Sequence, residues 1–194
     1  MKKLPVSPDP LLQFQLSMFA LLTWLSVVRP LPADSILTIG IIELAMGMGC
    51  FVGSILNLER GDPNGNIQLI LSVILGFAGG INQIVMAASR IWNFPFHPWV
   101  WSFILLMGGL YSACFIPLLK SRPLYVMGEH VCVCIGFLCN GTSDLASLPV
   151  LKTIGCWFLF VFALLSLYQG VSMMYMLAGK HLPQGPSLSR KENQ

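Results

Sequence analysis

The chain has 194 residues, of which 55% are hydrophobic and only 10% charged, with a formal net charge of +3 and a mean hydropathy of +0.74. A soluble domain carries about 25% charged residues, and a surface this poor in charge does not stay dissolved in water. A water-soluble globular domain is therefore excluded, lipid is the expected solvent, and the small positive charge is too slight for a nucleic-acid footprint.

A helix crosses the hydrocarbon core with about 20 apolar residues, and the charges mark where such helices fit. Residues 1–10 read as a cytoplasmic N-terminal segment. The stretch from Asp9 to Arg29 is free of charge and holds the first span. Asp34 to Glu59 contains one charge, Glu43, and holds the second. The third lies between Asp62 and Arg90, and the fourth between Arg90 and Lys120, starting after His97 and Pro98. The fifth lies between Arg122 and Asp144, with Glu129 and His130 near its start and Asn140-Gly141 expected to end it early. Lys152 to Lys180 holds the sixth. The expected fold is all-α: six transmembrane helices in one bundle over residues 11–179, followed by a flexible cytoplasmic tail over residues 180–194.

Basic residues favour the cytoplasmic side. The two termini, the 2–3 loop and the 4–5 loop carry eight of the 11 Lys and Arg residues, and the other three loops carry Arg29, Arg90 and Lys152. That split places both termini in the cytoplasm, which requires an even number of spans. Lys2-Lys3 and the apolar run after them have some look of a signal peptide. A cut after Ala33, however, would put Leu31 where a small residue belongs, and the run is longer than a usual signal core; an uncleaved first span is expected. The six cysteines all fall within or at the ends of apolar stretches, where free cysteine behaves as a small hydrophobe.

Polar groups in lipid are costly and normally face a bundle interior or a water-filled path. Glu43, Gly47, Cys50, Ser54 and Asn57 share one helical face in the second span. Gln68, Ser72, Gly76, Gly79 and Gln83 keep steps of three or four in the third, Gln13, Ser17, Ala20 and Trp24 do so in the first, and Ser166, Gln169, Gly170 and Met173 do so in the sixth. Small residues on such stripes serve close helix packing. Glu43 is different, because an unpaired charged carboxylate in mid-span costs several kcal/mol. It is expected to be protonated or hydrogen-bonded, either as a proton or solute contact on a permeation path or as a structural hydrogen-bonding group. Glu129 and His130 read as interfacial anchors or, alternatively, as a pH-sensing pair, since His titrates near neutrality; Trp92, Trp99 and Trp101, with His97, read as an interface belt. His130, Cys132 and Cys134 do not make a metal site, since Cys132 points away from the face the other two share and a full ligand set is missing. No nucleotide-binding, metalloprotease or hydrolase motif is present, so neither an enzyme nor a cofactor is expected. Asn140-Gly141-Thr142 fits a glycosylation sequon by chance or as a helix stop.

The motifs resemble the acetate uptake transporters (YaaH or SatP type), small six-helix inner-membrane proteins. That family opens on Asn-Pro-x-Pro-Leu-Gly-Leu running into its first helix; Ser7-Pro8-Asp9-Pro10-Leu11-Leu12 keeps both prolines and the first leucine. Gly40-Ile41-Ile42-Glu43-Leu44-Ala45-Met46-Gly47 is similar to the family's Gly-Ile-x-Gln-x-x-x-Gly, with Glu43 in the Gln place. Glu59-Arg60-Gly61-Asp62-Pro63-Asn64-Gly65 is similar to its charged loop, and Gly155 with Leu167-Tyr168 to its helix-6 glycine and aromatic pair. The departures are Ser7 for Asn, Leu12 for Gly, and Ser72 near the place of a helix-3 tyrosine.

The resemblance implies a solute path lined by Pro8, Pro10, Leu11, Leu16, Glu43, Gly47, Gln68, Ser72 and Tyr168, with Leu16 in a narrow apolar constriction. It also implies that the two prolines carry an extended segment into the cytoplasmic mouth, where backbone amides of Leu11 to Phe14 meet an anion. It implies an integral protein of the plasma (inner) membrane, assembled as a homo-oligomer, a hexamer. The expected function is a transporter or channel for a small monocarboxylate such as acetate, with possible proton coupling through Glu43. The alternatives are a channel for a small neutral solute (urea, an amide or ammonia) and a membrane scaffold without transport activity.

Overall fold

In the computed structural model, which describes residues 7–187, six helices are long and apolar enough to cross a membrane. They are α1 (Asp9–Val28), α2 (Ala33–Glu59), α3 (Asn64–Trp92), α4 (Trp99–Leu119), α5 (Leu124–Ala146) and α6 (Pro149–Leu177). Proline marks the start of every one. Pro8, Pro32, Pro63, Pro98 and Pro123 occupy the N-cap positions of α1 to α5, and Pro149 is the first residue of α6. The ring fixes φ near its helical value, and the missing N–H is one the first turn leaves unpaired in any case. No N-cap side chain bonds to these first turns, but Asp62 Oδ1 accepts from the Asn64 amide at 2.9 Å and Ser7 Oγ from the Asp9 amide at 3.4 Å. At the other ends, Asn93 and Ser147 adopt left-handed φ of 53° and 56°. The next amides then close back on the helix, Phe94 N to Ser89 O at 3.2 Å and Leu148 N to Ser143 O at 2.9 Å, a Schellman-type stop.

Two helices depart from regular geometry. The α3 span widens into a π-helix over Ser72–Ala78 between its α-helical parts, and α4 tightens into a 3-10 turn over Ile116–Leu119. The fifth helix does not end at Asn140-Gly141 but continues to Ala146. Gly141 is used there for packing: a Cβ on it would lie 2.6 Å from the Ser102 carbonyl oxygen of α4. Asn140 is buried, so the sequon is not on a surface.

Lipid tails are as apolar as leucine, so bundle cohesion rests on close packing and interhelical hydrogen bonds. Glycine supplies the closeness. A Cβ on Gly80 would sit 2.8 Å from the Gly40 carbonyl oxygen, and one on Gly76 would sit 2.6 Å from the Gly47 Cα. The bundle closes between its first and last helices, where a Cβ on Gly170 would meet the Pro10 carbonyl oxygen at 3.1 Å. Leu12, Leu16, Phe19, Leu75, Leu105, Val133, Phe137, Leu159 and Phe162 belong to one contiguous buried cluster drawn from α1, α3, α4, α5 and α6.

The first part of the expected flexible tail is tied down. Tyr168 Oη donates to the Pro183 carbonyl oxygen, and the Leu124 amide donates to the Pro186 carbonyl oxygen at 2.9 Å. The start of α1 and the end of α6 thus share one end of the bundle with the start of α5. The expectations for residues 1–6 and 188–194 fall outside the described residues.

Candidate functional site

A cavity of about 280 Å³ opens at the end of the bundle opposite the termini. It is lined by Thr23 and Ser26 of α1, Glu43 of α2, and Gly79, Asn82, Gln83 and Arg90 of α3. Trp101 of α4, Asn140 and Asp144 of α5, and Lys152 of α6 line it too, with Phe96 from the α3–α4 connection. Leu75, Leu105 and Leu159 line the cavity and are also members of the buried apolar cluster. The cavity therefore ends on an apolar collar.

Glu43 is the chemical centre of this space. Its side chain is 1% exposed, and neither Oε1 nor Oε2 has a hydrogen-bond partner among the described residues. A buried carboxylate with no donor and no cation is an expensive arrangement if charged. It is favourable only when a proton, water or solute meets it. Gly79 leaves room for that, since a Cβ there would stand 3.6 Å from Glu43 Oε2. Gly79 follows directly on the π segment, and such a bulge re-aims the residues after it, frequently at functional sites.

The mouth carries mixed charge with a cationic excess. Lys152 Nζ lies 2.9 Å from Asp144 Oδ1, and Ser102 Oγ donates to Asp144 Oδ2 at 3.1 Å. Arg90 Nη1 donates to the Leu31 carbonyl oxygen at 3.0 Å, tying the end of α3 to the α1–α2 connection. Deeper in, Gln83 Nε2 donates to Ser26 Oγ at 3.2 Å. Asn140 Nδ2 donates to the Gly136 carbonyl oxygen at 2.8 Å, and Cys156 Sγ donates to Asn140 Oδ1 at 3.4 Å.

At the termini-bearing end a second polar cluster binds three helices together. Asp9 Oδ1 accepts from Asn57 Nδ2 at 2.6 Å and from Gln68 Nε2 at 3.0 Å. Asn57 Nδ2 also donates to Gln68 Oε1 at 2.8 Å, and Ser7 Oγ donates to Asp9 Oδ2 at 2.6 Å. The start of α1 is thereby fixed to the end of α2 and the start of α3.

The residues expected on the path therefore divide. Glu43 faces the cavity, Leu16 is buried in the collar, and Gln68 belongs to the Asp9 cluster. Gly47 is a packing contact against Gly76. Ser72 is fully buried, and its Oγ donates to the Leu69 carbonyl oxygen at 2.7 Å. Leu11 is exposed and lines an open apolar groove between α1 and α6 together with Pro10, because the residues beside it in sequence take the inward positions. Tyr168 packs edge-on against Tyr125 and holds the tail. Pro8 caps a helix that starts at once at Asp9. Its carbonyl oxygen accepts from the Leu11 and Leu12 amides at 3.0 and 3.1 Å, so these amides are not free to meet an anion.

Two further expectations are corrected, and one set of residues was missed. Glu129 and His130 are not interfacial anchors but buried, at 1% and 8% exposure. Trp92 and Trp99 are exposed, while Trp101 turns inward to the cavity. Asn82, Arg90, Asn140, Asp144 and Lys152, all at the cavity, were not singled out as lining residues. For Arg90, Asp144 and Lys152 the only available signal was their position as boundary charges of spans.

Among solved structures the chain is similar to the bacterial acetate channel SatP, with a TM-score of 0.68 at 14% sequence identity, covering 93% of this chain and 99% of that one. No protein-family profile and no curated protein sequence matches the chain. The two chains share a fold, as the sequence resemblance implied, while their sequences have diverged widely.

Proposed function

We propose that the chain is an integral-membrane transporter or channel for a small monocarboxylate such as acetate, and that the solute crosses with a proton given by Glu43. The observation that carries this reading is the unpartnered Glu43 carboxyl group in a cavity that is cationic at its mouth and apolar at its base. The fold shared with an acetate channel supports the solute class. The physical argument concerns desolvation. Arg90 and Lys152 raise the local concentration of an anion. An apolar collar rejects the bare carboxylate, because an ion pays far more than a neutral group to leave water. A protonated Glu43 can give its proton to the arriving carboxylate, so that the solute meets the collar as the neutral acid and Glu43, left as the carboxylate, takes a new proton from water in the cavity. The distribution of Lys and Arg in the loops supports termini on the cytoplasmic side, and the family resemblance supports the plasma (inner) membrane.

Uptake of labelled acetate into proteoliposomes, with and without an inward proton gradient, tests this reading. Gradient-driven uptake that falls in Glu43→Gln is expected. Uptake equal in both proteins at every pH would remove Glu43 from the mechanism.

A second reading is favoured by the same two unpartnered Glu43 oxygens. They are acceptors suited to the N–H groups of urea or a small amide, with Asn82 and Gln83 beside them. Competition of acetate uptake by urea and acetamide separates the two. No uptake of any of these solutes by folded protein would leave a scaffold role.

A further inference from the structure

The cavity and its carboxylate occupy one end of the bundle, but a second carboxyl group is buried on the other side of the collar. Along α5, Glu129, Val133, Phe137, Asn140 and Asp144 follow steps of three and four and share one face. Asn140 and Asp144 reach the cavity, while Val133 and Phe137 are fully buried members of the apolar cluster. Glu129 lies beyond them, toward the termini-bearing end. Along α6, Leu159 and Phe162 of the same cluster precede Ser166 in the same way. Ser166 Oγ donates to Glu129 Oε1 at 2.6 Å. Glu129 Oε2 is buried and has no partner among the described residues.

Three more buried polar atoms without partners among the described residues mark the route from Glu129 to the bundle end: Gln169 Oε1 and Ser172 Oγ on α6, and Gln13 Oε1 on α1. Ser166, Gln169 and Ser172 stand three residues apart, so each neighbours the next along one side of the helix. Gln13 comes from the facing helix, its Cβ 3.2 Å from where a Cβ on Gly170 would stand. Tyr125 of α5, four residues before Glu129 and half-buried, packs edge-on against Tyr168 of α6. Together these groups form a polar lane from Glu129 toward the end of the bundle that bears the tail. Apolar side chains would pack this space at no polar cost, whereas a row of buried polar groups calls for something that bonds to them.

We infer that Glu129 is a second proton-binding site, loaded and emptied by water-borne protons along the Ser166–Gln169–Ser172 lane and separated from Glu43 by the apolar collar. The proton comes from water at the termini-bearing end, binds Oε2 of the carboxylate to give the neutral acid, and leaves by the same route. The ionisable groups around it are few. Tyr125, His130 and Cys132 are on its own helix, and Tyr168 stands on α6 against Tyr125. His130 Nδ1 is engaged by the Val126 carbonyl oxygen at 2.9 Å. The helix α1 offers only Asp9, held by its own cluster, and α4 offers Tyr111 and Cys114. The basic groups Lys120 and Arg122 are outside the helices, and Lys152 is at the far end of α6, paired with Asp144. Among the described residues no cation is paired with Glu129. The site does not depend on which solute fills the cavity.

Infrared spectroscopy of the full chain in liposomes reads this site without any transport assay. A protonated-carboxyl stretch is expected that disappears reversibly as pH rises, is lost in Glu129→Gln, and persists in Glu43→Gln. Ser166→Ala, which removes one hydrogen bond and leaves the carboxyl group, should keep the band and shift its frequency. Gln169→Leu combined with Ser172→Ala should slow exchange of the carboxyl proton for deuterium several-fold. A spectrum identical in wild type and Glu129→Gln, or a Glu129 band that does not respond to pH, overturns the proposal. Deuterium exchange unchanged in the double variant overturns the lane.

Discussion

Gly47 and Gly76 bring α2 and α3 together backbone to backbone, so closely that a Cβ on Gly76 would lie 2.6 Å from the Gly47 Cα. The contact sits between the cavity face of α2, which carries Glu43, and the π segment of α3, which contains Gly76. Overpacking of this kind costs about 1–3 kcal/mol. Gly76→Val should lower the thermal unfolding temperature of the purified protein and weaken solute uptake with it. Gly128→Ala is the matched control, since the nearest atom to its Cβ would be Leu165 Cδ1 at 3.8 Å; its unfolding temperature should be unchanged or slightly raised.

Asp9 accepts hydrogen bonds from both Asn57 and Gln68, so its loss leaves Gln68 Nε2 without an acceptor and Asn57 Nδ2 with Gln68 Oε1 alone. Asp9→Ala should destabilise the protein by about 1–3 kcal/mol, the cost of leaving such groups unpaired. The effects of Asp9→Ala and Asn57→Ala on thermal unfolding should not add, because the two side chains belong to one network. Additive losses would mean that the cluster does not act as a unit.

Lys152 pairs with Asp144 at the cavity mouth, where Arg90 is a further lining residue. Lys152→Ala removes the cationic excess there. At low salt the KM for an anionic solute should rise by up to about fivefold, equivalent to the ~1 kcal/mol that a partly exposed charge contributes. The difference should shrink as ionic strength rises and the Debye length shortens. Uptake of urea or an amide should not respond to either change, so the salt series also separates the two solute readings.

Leu75 is 1% exposed and belongs to both the cavity lining and the collar. Leu75→Ala should lower stability by about 2–5 kcal/mol through the void it leaves. If the collar limits passage, the same variant should admit longer monocarboxylates, seen as uptake of labelled propionate or butyrate relative to acetate. An unchanged uptake ratio would place the limiting constriction elsewhere.

Much of the fold was legible in one dimension, because crossing a membrane demands length and apolarity, and both are properties of a segment alone. Uncharged stretches between Asp9 and Arg29, or between Lys152 and Lys180, already locate α1 and α6, although α6 begins at Pro149, ahead of Lys152. The polar stripes of α2 and α3 were legible for the same reason, since a helix repeats every three or four residues and lipid excludes polar groups from its outer face. Glu43 followed from that rule. Which groups meet across the bundle was not legible. It depends on how each helix is rotated and how closely its neighbours approach, and those are set by glycine contacts between distant segments such as Gly47 with Gly76. Only the tertiary structure turned Leu11 outward, buried Glu129 against Ser166, carried α5 through Asn140-Gly141, and gathered Arg90, Asp144 and Lys152 from three helices around one cavity. A charge at the end of a span looks the same in sequence whether it faces lipid headgroups or a solute path, and the packing of the other helices decides between them.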